Sequence, residues 1–243
     1  MTGTSNAAEL AGATCTAPAE RSDRMRDIVL AHVPSDQPIR LLDVGCGTGS
    51  LLFRLSDALP NATLYGIDVS AANVQAARRE QTARRANAPL HFEAADYLRY
   101  TPSAPFDAIV ADGVLHLIGG DTDALVRKLA GDLRPGGVLV CSMPFDCAYN
   151  EVFTVVRRLL GRVRSARVDR AILQVGRMLH GSTMDDDRLR ERVPYMYLPP
   201  ERMMGRPLAR TFASAGLSRC ADYPMRSTSL SQLRHRVTIF ARS

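Results

Sequence analysis

Residues 41–49, Leu-Leu-Asp-Val-Gly-Cys-Gly-Thr-Gly, set glycines at 45, 47 and 49 directly behind an apolar run. Glycine permits a tight turn there and lets backbone N–H groups come close to a ligand. The spacing differs from the dinucleotide pattern G-x-G-x-x-G. Asp43 lies at the strand end, where its carboxylate would repel a pyrophosphate and suit a cationic or hydroxyl-bearing ligand. Asp68 follows Gly49 by 19 residues, the distance at which an acid commonly accepts hydrogen bonds from ribose hydroxyls. Asp96 and Tyr97 place a carboxylate beside an aromatic ring, where an adenine could sit, and Asp112 supplies a fourth acid.

For these groups to meet, each must stand at the end of a strand in one sheet, and the apolar pattern predicts that arrangement. Short apolar runs at 39–44, 63–67, 90–94, 106–111 and 138–143 read as strands, with helical stripes at 50–59, 71–86 and 125–133 between them. A helix over 21–33 precedes them. A helix through Ala215 and strands at 217–225 and 236–241 close the chain. The predicted fold is α/β: a Rossmann-like, seven-stranded, mostly parallel sheet with helices on both faces. All four acids then lie on the carboxyl edge, where open α/β sheets bind ligands. Between residues 147 and 198 the alternation breaks. Val152, Val155, Val156, Leu159, Leu160 and Val163 fit one helix face, and the segment reads as an inserted helical lid.

At 243 residues, 46% apolar and 23% charged, the chain has side chains enough to bury a core. Residues 1–20 read as a mobile tail ahead of one domain over 21–243, without the basic-then-apolar order of a signal peptide. With no long apolar span, no membrane association is expected and the location is read as cytoplasmic. The five cysteines form no C-x-x-C pair and read as reduced thiols; no metal site is expected. Of 31 basic residues all but Lys128 are Arg, giving a net charge of +6.

Five motifs, in order, resemble the class I S-adenosylmethionine-dependent methyltransferases: LLDVGCGTG at 41–49, YGIDVS at 65–70, EAADYL at 93–98, FDAIVADGVLHLI at 106–118 and LRPGGVLV at 133–140. The resemblance implies S-adenosylmethionine as cofactor, with Asp43, Gly45, Cys46 and Gly47 around its methionine part. Asp68 would take both ribose hydroxyls and Val69 would pack on adenine. Asp96 would accept from the adenine amine with Tyr97 beside it, and Asp112 would close the site. The chain lacks the N/D-P-P-Y/F, Pro-Cys, Asp-Asn and paired-glutamate signatures of nucleobase, cytosine C5, catechol and protein arginine enzymes. A small-molecule acceptor is expected, with O-methylation of a carboxylate or hydroxyl favoured.

The segment around His116 resembles that of trans-aconitate and quinone-type methyltransferases, which makes His116 a candidate general base for an acceptor hydroxyl. Tyr195 and Tyr197 stand two apart at the tip of the lid and could attract a sulfonium through their ring faces or orient an acceptor. Asn150 could reach the same mouth. The arginines of residues 151–182 form a wet helix face, or dock an acyl carrier protein, or steer a carboxylate substrate. Two other readings stand beside methyl transfer. One is intramolecular cyclisation of S-adenosylmethionine, as in azetidine-2-carboxylate synthases, for which the two tyrosines would form an aromatic cage. The other is a basic RNA-binding protein of the same fold, although no aromatic-interleaved basic strand supports nucleic acid as a partner.

Overall fold

The structure is a computed structural model describing residues 17–84, 87–180, 185–225 and 232–243. Strands β1 (Arg40–Val44), β2 (Thr63–Asp68), β3 (Leu90–Ala94), β4 (Phe106–Asp112), β5 (Leu133–Pro144), β6 (Leu217–Met225) and β7 (His235–Arg242) form one sheet in the order β3-β2-β1-β4-β5-β7-β6. The first five run parallel, while β7 pairs antiparallel with β5 and β6. Alternate side chains point to opposite faces. Leu41, Val110 and Val140 therefore enter one core, and Leu42, Ile109 and Cys141 the other.

Helices cover both faces because both are apolar. Helix α1 (Ala19–Leu30) brings Met25, Ile28 and Val29 to the first core, where α2 (Ser50–Ala58) adds Leu51, Leu52 and Leu55. Helix α3 (Ala71–Ala83) is capped by the Ser70 hydroxyl, which accepts from Asn73 N. The second core is closed by α4 (Thr122–Asp132) and α8 (Arg206–Ser214), with Phe212 stacked on Phe240 of β7. The expected tail lies mostly outside the described residues, but its last two residues, Ala19 and Glu20, already belong to α1. Strand β5 starts five residues earlier than the apolar run at 138. Leu133 already pairs with Phe106, and the Arg134-Pro-Gly-Gly137 segment bulges before Val138 meets Ala108.

The insertion is helical, as its sequence predicts: α5 (Ala148–Arg162), α6 (Ala166–His180), α7 (Asp186–Arg192) and a 3₁₀ turn over Pro194–Tyr197. Its orientation differs from the expectation. On α5 the buried residues are Asn150, Thr154 and Arg157, a polar stripe at i, i+4, i+7, while Val152, Val155, Val156, Leu159 and Val163 face outward. The polar face points inward because it meets carbonyl groups of the body. Asn150 Nδ2 donates to Phe145 O (2.7 Å) and Arg234 O (2.9 Å), and its Oδ1 accepts from Arg234 N (2.8 Å). Asn150 thus fastens the insertion to the approach of β7 rather than reaching the ligand mouth. An unmade buried hydrogen bond costs about 1–3 kcal/mol. Asn150→Ala should accordingly lower unfolding stability by about 2–3 kcal/mol, read as a reduced denaturant midpoint with an unchanged slope.

Candidate active site

A cavity of about 580 Å³ opens at the carboxyl edge of β1, β2 and β4, large enough for a ligand of nucleoside size. Gly45, Gly47 and Gly49 all have positive φ, as a turn this tight requires. At Gly45 a Cβ would stand 2.8 Å from Val114 Cβ, so the turn and the segment after β4 touch through a missing side chain. Asp43, Gly45, Cys46, Gly47, Asp68, Val69, Asp96, Tyr97 and Asp112 all line this cavity. Five carboxylates line it, with Glu201 the fifth, and among its described residues there is no basic side chain.

The acids are held differently. Asp68 accepts Gly47 N (2.8 Å) on Oδ2, and Ser70 N (2.8 Å) and Asn73 Nδ2 (3.3 Å) on Oδ1. A carboxylate offers about four acceptor directions, so one remains. A single ribose hydroxyl fits it, and a second would displace the long Asn73 bond. Asp96 Oδ1 accepts Leu98 N (3.0 Å) and fixes the turn beyond β3. Asp43 is fully sequestered and has no donor among the described residues; burial, then the charges of Asp112 and Asp68, push its carboxyl well above the usual range. The Cys46 thiol is pushed up by burial as well and is inert. Tyr97 reaches the cavity wall, but its ring packs in the core with Lys128 Nζ 4.9 Å from the ring centroid.

A second cavity, of about 780 Å³, adjoins the first and shares Ala17, Asp112, Gly113, Leu117 and Tyr195 with it. Its charges are mixed, with a small positive excess. Arg21, Arg24, Arg157, Arg192, His116 and His235 line it, against Glu20, Asp112 and Glu191. Arg21 of α1 joins the two: Nε donates to Asp112 Oδ2 (2.8 Å), and Nη2 to Asp112 Oδ1 and Ser142 Oγ (2.9 Å). Asp112 is therefore engaged by a guanidinium from the neighbouring cavity. Ser142 Oγ lies 3.2 Å from His235 Nδ1. Assigned as donor there, the hydroxyl leaves the His235 proton on Nε2.

His116 stands edge-on to His235, their ring centroids 5.2 Å apart. It is 4% exposed, and its Nδ1 has no hydrogen-bond partner. Burial first, then the neighbouring histidine and the positive charges of Arg157, Arg21 and Arg202, hold His116 well below its ordinary value. Burial and the same arginines (Arg21, Arg157) do so for His235. Both rings are neutral at pH 7. Arg157, buried at 7% exposure, is brought down to about 10 by burial. It donates from Nη1 to Leu198 O (3.1 Å), and its Nε has no partner.

The structure separates the two tyrosines at the end of the insertion. A 3₁₀ turn advances about 120° per residue, so side chains two apart point to different faces. Tyr195 lines both cavities, while Tyr197 is buried against α6, with its hydroxyl on Asp169 and Arg164 over its ring at 4.8 Å. The pair forms no aromatic cage, and Tyr197 lines neither cavity. Sequence reasoning missed Arg21, Arg157, Arg202 and His235. Arg202 donates to Leu115 O (2.6 Å), Ile118 O (2.6 Å) and Gly120 O (3.2 Å), and Glu201 N to His116 O (2.8 Å). Together they brace the loop that carries His116. Only Arg157 left a local signal, the polar stripe it shares with Asn150 and Thr154.

A family described as "Methyltransferase domain" matches residues 42–139. A trans-aconitate 2-methyltransferase of Azoarcus sp. is 36% identical over 125 residues, covering 51% of this chain and 46% of that protein. The chain spans about half the length of the curated relatives it matches. Among solved structures, magnesium protoporphyrin IX methyltransferase from Synechocystis, with bound S-adenosylhomocysteine, superposes with a TM-score of 0.61 at 16% identity, covering 93% of this chain and 83% of that one. A [4+2]-cyclase, SpnF, superposes at 0.60 and 18% identity, covering 90% and 80%; at such identities the likeness concerns the fold. Motif order, strand order and the acid-lined glycine turn agree with that match: residues 42–139 are similar to a methyltransferase domain, and the whole described chain shares the fold of solved methyltransferases.

Proposed function

We propose that the chain methylates a small organic acid at oxygen, with S-adenosylmethionine as methyl donor and a carboxylate favoured over a hydroxyl as the acceptor group. The carrying observation is the meeting of two cavities of opposite charge at Asp112, Gly113, Leu117 and Tyr195. The donor fits the acid-lined cavity on the chemistry of its walls: a cation suits the buried, donor-less Asp43, a ribose hydroxyl suits the open direction on Asp68, and the glycine turn admits close approach. When bound, S-adenosylmethionine supplies a methyl carbon whose bond to positively charged sulfur breaks as an acceptor oxygen bonds to it, leaving the neutral thioether of S-adenosylhomocysteine.

The protein's part is to bind, align and exclude water, because much of such a barrier falls to proximity alone. An efficient general base has a pKa near the working pH. His116 and His235 sit well below that, in a positive field, and are poor proton acceptors. An acceptor that is already ionised needs no base, and the arginines of the second cavity attract it. The trans-aconitate methyltransferases among the relatives carry an acid acceptor in their name, which agrees with this reading. The paired tyrosines offered for cyclisation are not together, so no observation favours that alternative.

Purified protein with S-adenosylmethionine and a panel of carboxylic acids and phenols should release S-adenosylhomocysteine only when an acid is present, read by mass spectrometry. Methylthioadenosine formed without any acceptor would overturn the proposal in favour of cyclisation. General-base catalysis contributes about 10²–10⁴-fold; His116→Gln should reduce kcat by less than about tenfold, with a profile level between pH 6.5 and 8. Asp43, its folded pKa raised, contributes stability that is full below the unfolded value of 3.8 and lost as pH rises through the folded value. Asp43→Asn should therefore raise the melting temperature of the ligand-free protein at pH 7–8 while weakening S-adenosylmethionine binding at least tenfold by calorimetry.

A further inference from the structure

Arg157 comes from the insertion, outside the segment matched to the methyltransferase family at residues 42–139. It lines the second cavity, is buried at 7% exposure, and forms no salt bridge among the described residues. A guanidinium presents five N–H donors. Arg157 places one, on Leu198 O, and its Nε is left without a partner. A buried charge without a counter-charge is strongly unfavourable, and proteins keep such groups paired. The neighbours do not supply the missing charge: His116 and His235 are neutral, Arg21 already holds Asp112, and no ion pair joins Glu20 or Glu191 of the same cavity to Arg157 among the described residues. Leu117, Met196, Met225 and Leu233 give the same cavity an apolar stretch of wall beside its charged residues.

We propose that Arg157 anchors a carboxylate of the acceptor, and that the acceptor is an organic acid with an apolar body and at least two acidic groups. The inference rests on the reading of the second cavity as the acceptor site. Two groups are required because a carboxylate held by a guanidinium donates its oxygen electrons to those hydrogen bonds and is a weaker nucleophile. The anchored group is thus not the one methylated. The reacting group lies at the junction with the donor cavity, by Gly113, Leu117 and Tyr195. The planar fork of arginine suits a carboxylate in two parallel contacts, and Arg157 acts as the specificity-determining residue rather than as a reactant.

Calorimetric titration with phenylsuccinate and with its monoamide, in the absence and presence of S-adenosylhomocysteine, tests this directly. The wild-type protein should bind the diacid at least tenfold more tightly than the monoamide. Arg157→Gln should bind the diacid at least thirtyfold more weakly and lose the distinction, while Arg157→Lys recovers part of the affinity. S-adenosylhomocysteine affinity should stay within twofold in both variants, since Arg157 does not line the donor cavity. In the ligand-free protein Arg157→Met should hold or raise the melting temperature, because an apolar chain replaces an unpaired buried charge; an arginine kept only for structure would lower it by several degrees. Diacid binding by Arg157→Gln within threefold of wild type would overturn the anchor, as would wild-type protein that does not discriminate diacid from monoamide. Failure of the wild type to bind S-adenosylhomocysteine would instead overturn the donor-site reading, and the titration run without nucleoside decides the anchor separately.

Discussion

Three carboxylates, Asp43, Asp68 and Asp112, end neighbouring strands of a sheet whose two faces are both buried. Like charges gathered in a low-dielectric place repel strongly, and the rest of the site follows from how each is accommodated. Asp68 receives two backbone N–H groups and an amide, so its charge fixes the glycine turn and the start of α3. Asp112 receives a guanidinium from α1, which brings the N-terminal helix to the mouth of the cavity. Asp43 receives no donor among the described residues, and a cation from outside is the natural complement.

The same ion pair organises the second cavity. Arg21 faces both sides, and its contact with Ser142 continues to His235 and, across ring edges, to His116. With Asp112 neutralised by Arg21, the second cavity sets Arg24, Arg157 and Arg192 against Glu20 and Glu191, a small excess of positive charge. One compartment therefore attracts cations and the next attracts anions, separated by a shared wall of five residues. In the proposed reaction of a sulfonium with an anion, such a field would bring the partners together before any group reacts.

The strands and the acid edge were legible in the sequence because period-two and helical apolar patterns are local, and the glycine turn sits between them within nine residues. Asp43, Asp68 and Asp96 were readable for the same reason, each being tied to a strand end. Arg21 was not, since its partner Asp112 lies 91 residues away, nor was Arg202, which reaches back more than 80 residues to the His116 loop. The insertion misled in a specific way. Helical spacing identified the apolar stripe of α5 correctly, but spacing carries no information about which face meets the body. Here the carbonyls of Phe145, Leu198 and Arg234 turned the polar stripe inward. Tyr197 lies away from Tyr195 because a 3₁₀ turn carries both and points side chains two apart to different faces, which spacing alone does not reveal.

The two cavities also differ in the parts of the chain that build them. The first is made mostly from strand ends and the turns after them, the same backbone that closes the sheet. The second takes its arginines from α1, α5 and α7 and its far wall from the approach to β7. A substitution at a strand end disturbs fold and donor together, so that compartment has little freedom to vary. A substitution at Arg157, where α5 reaches the second cavity, alters a wall the sheet does not depend on. On the proposed reading, selection for a new acceptor can work on such positions while the donor compartment is held in place by the fold itself.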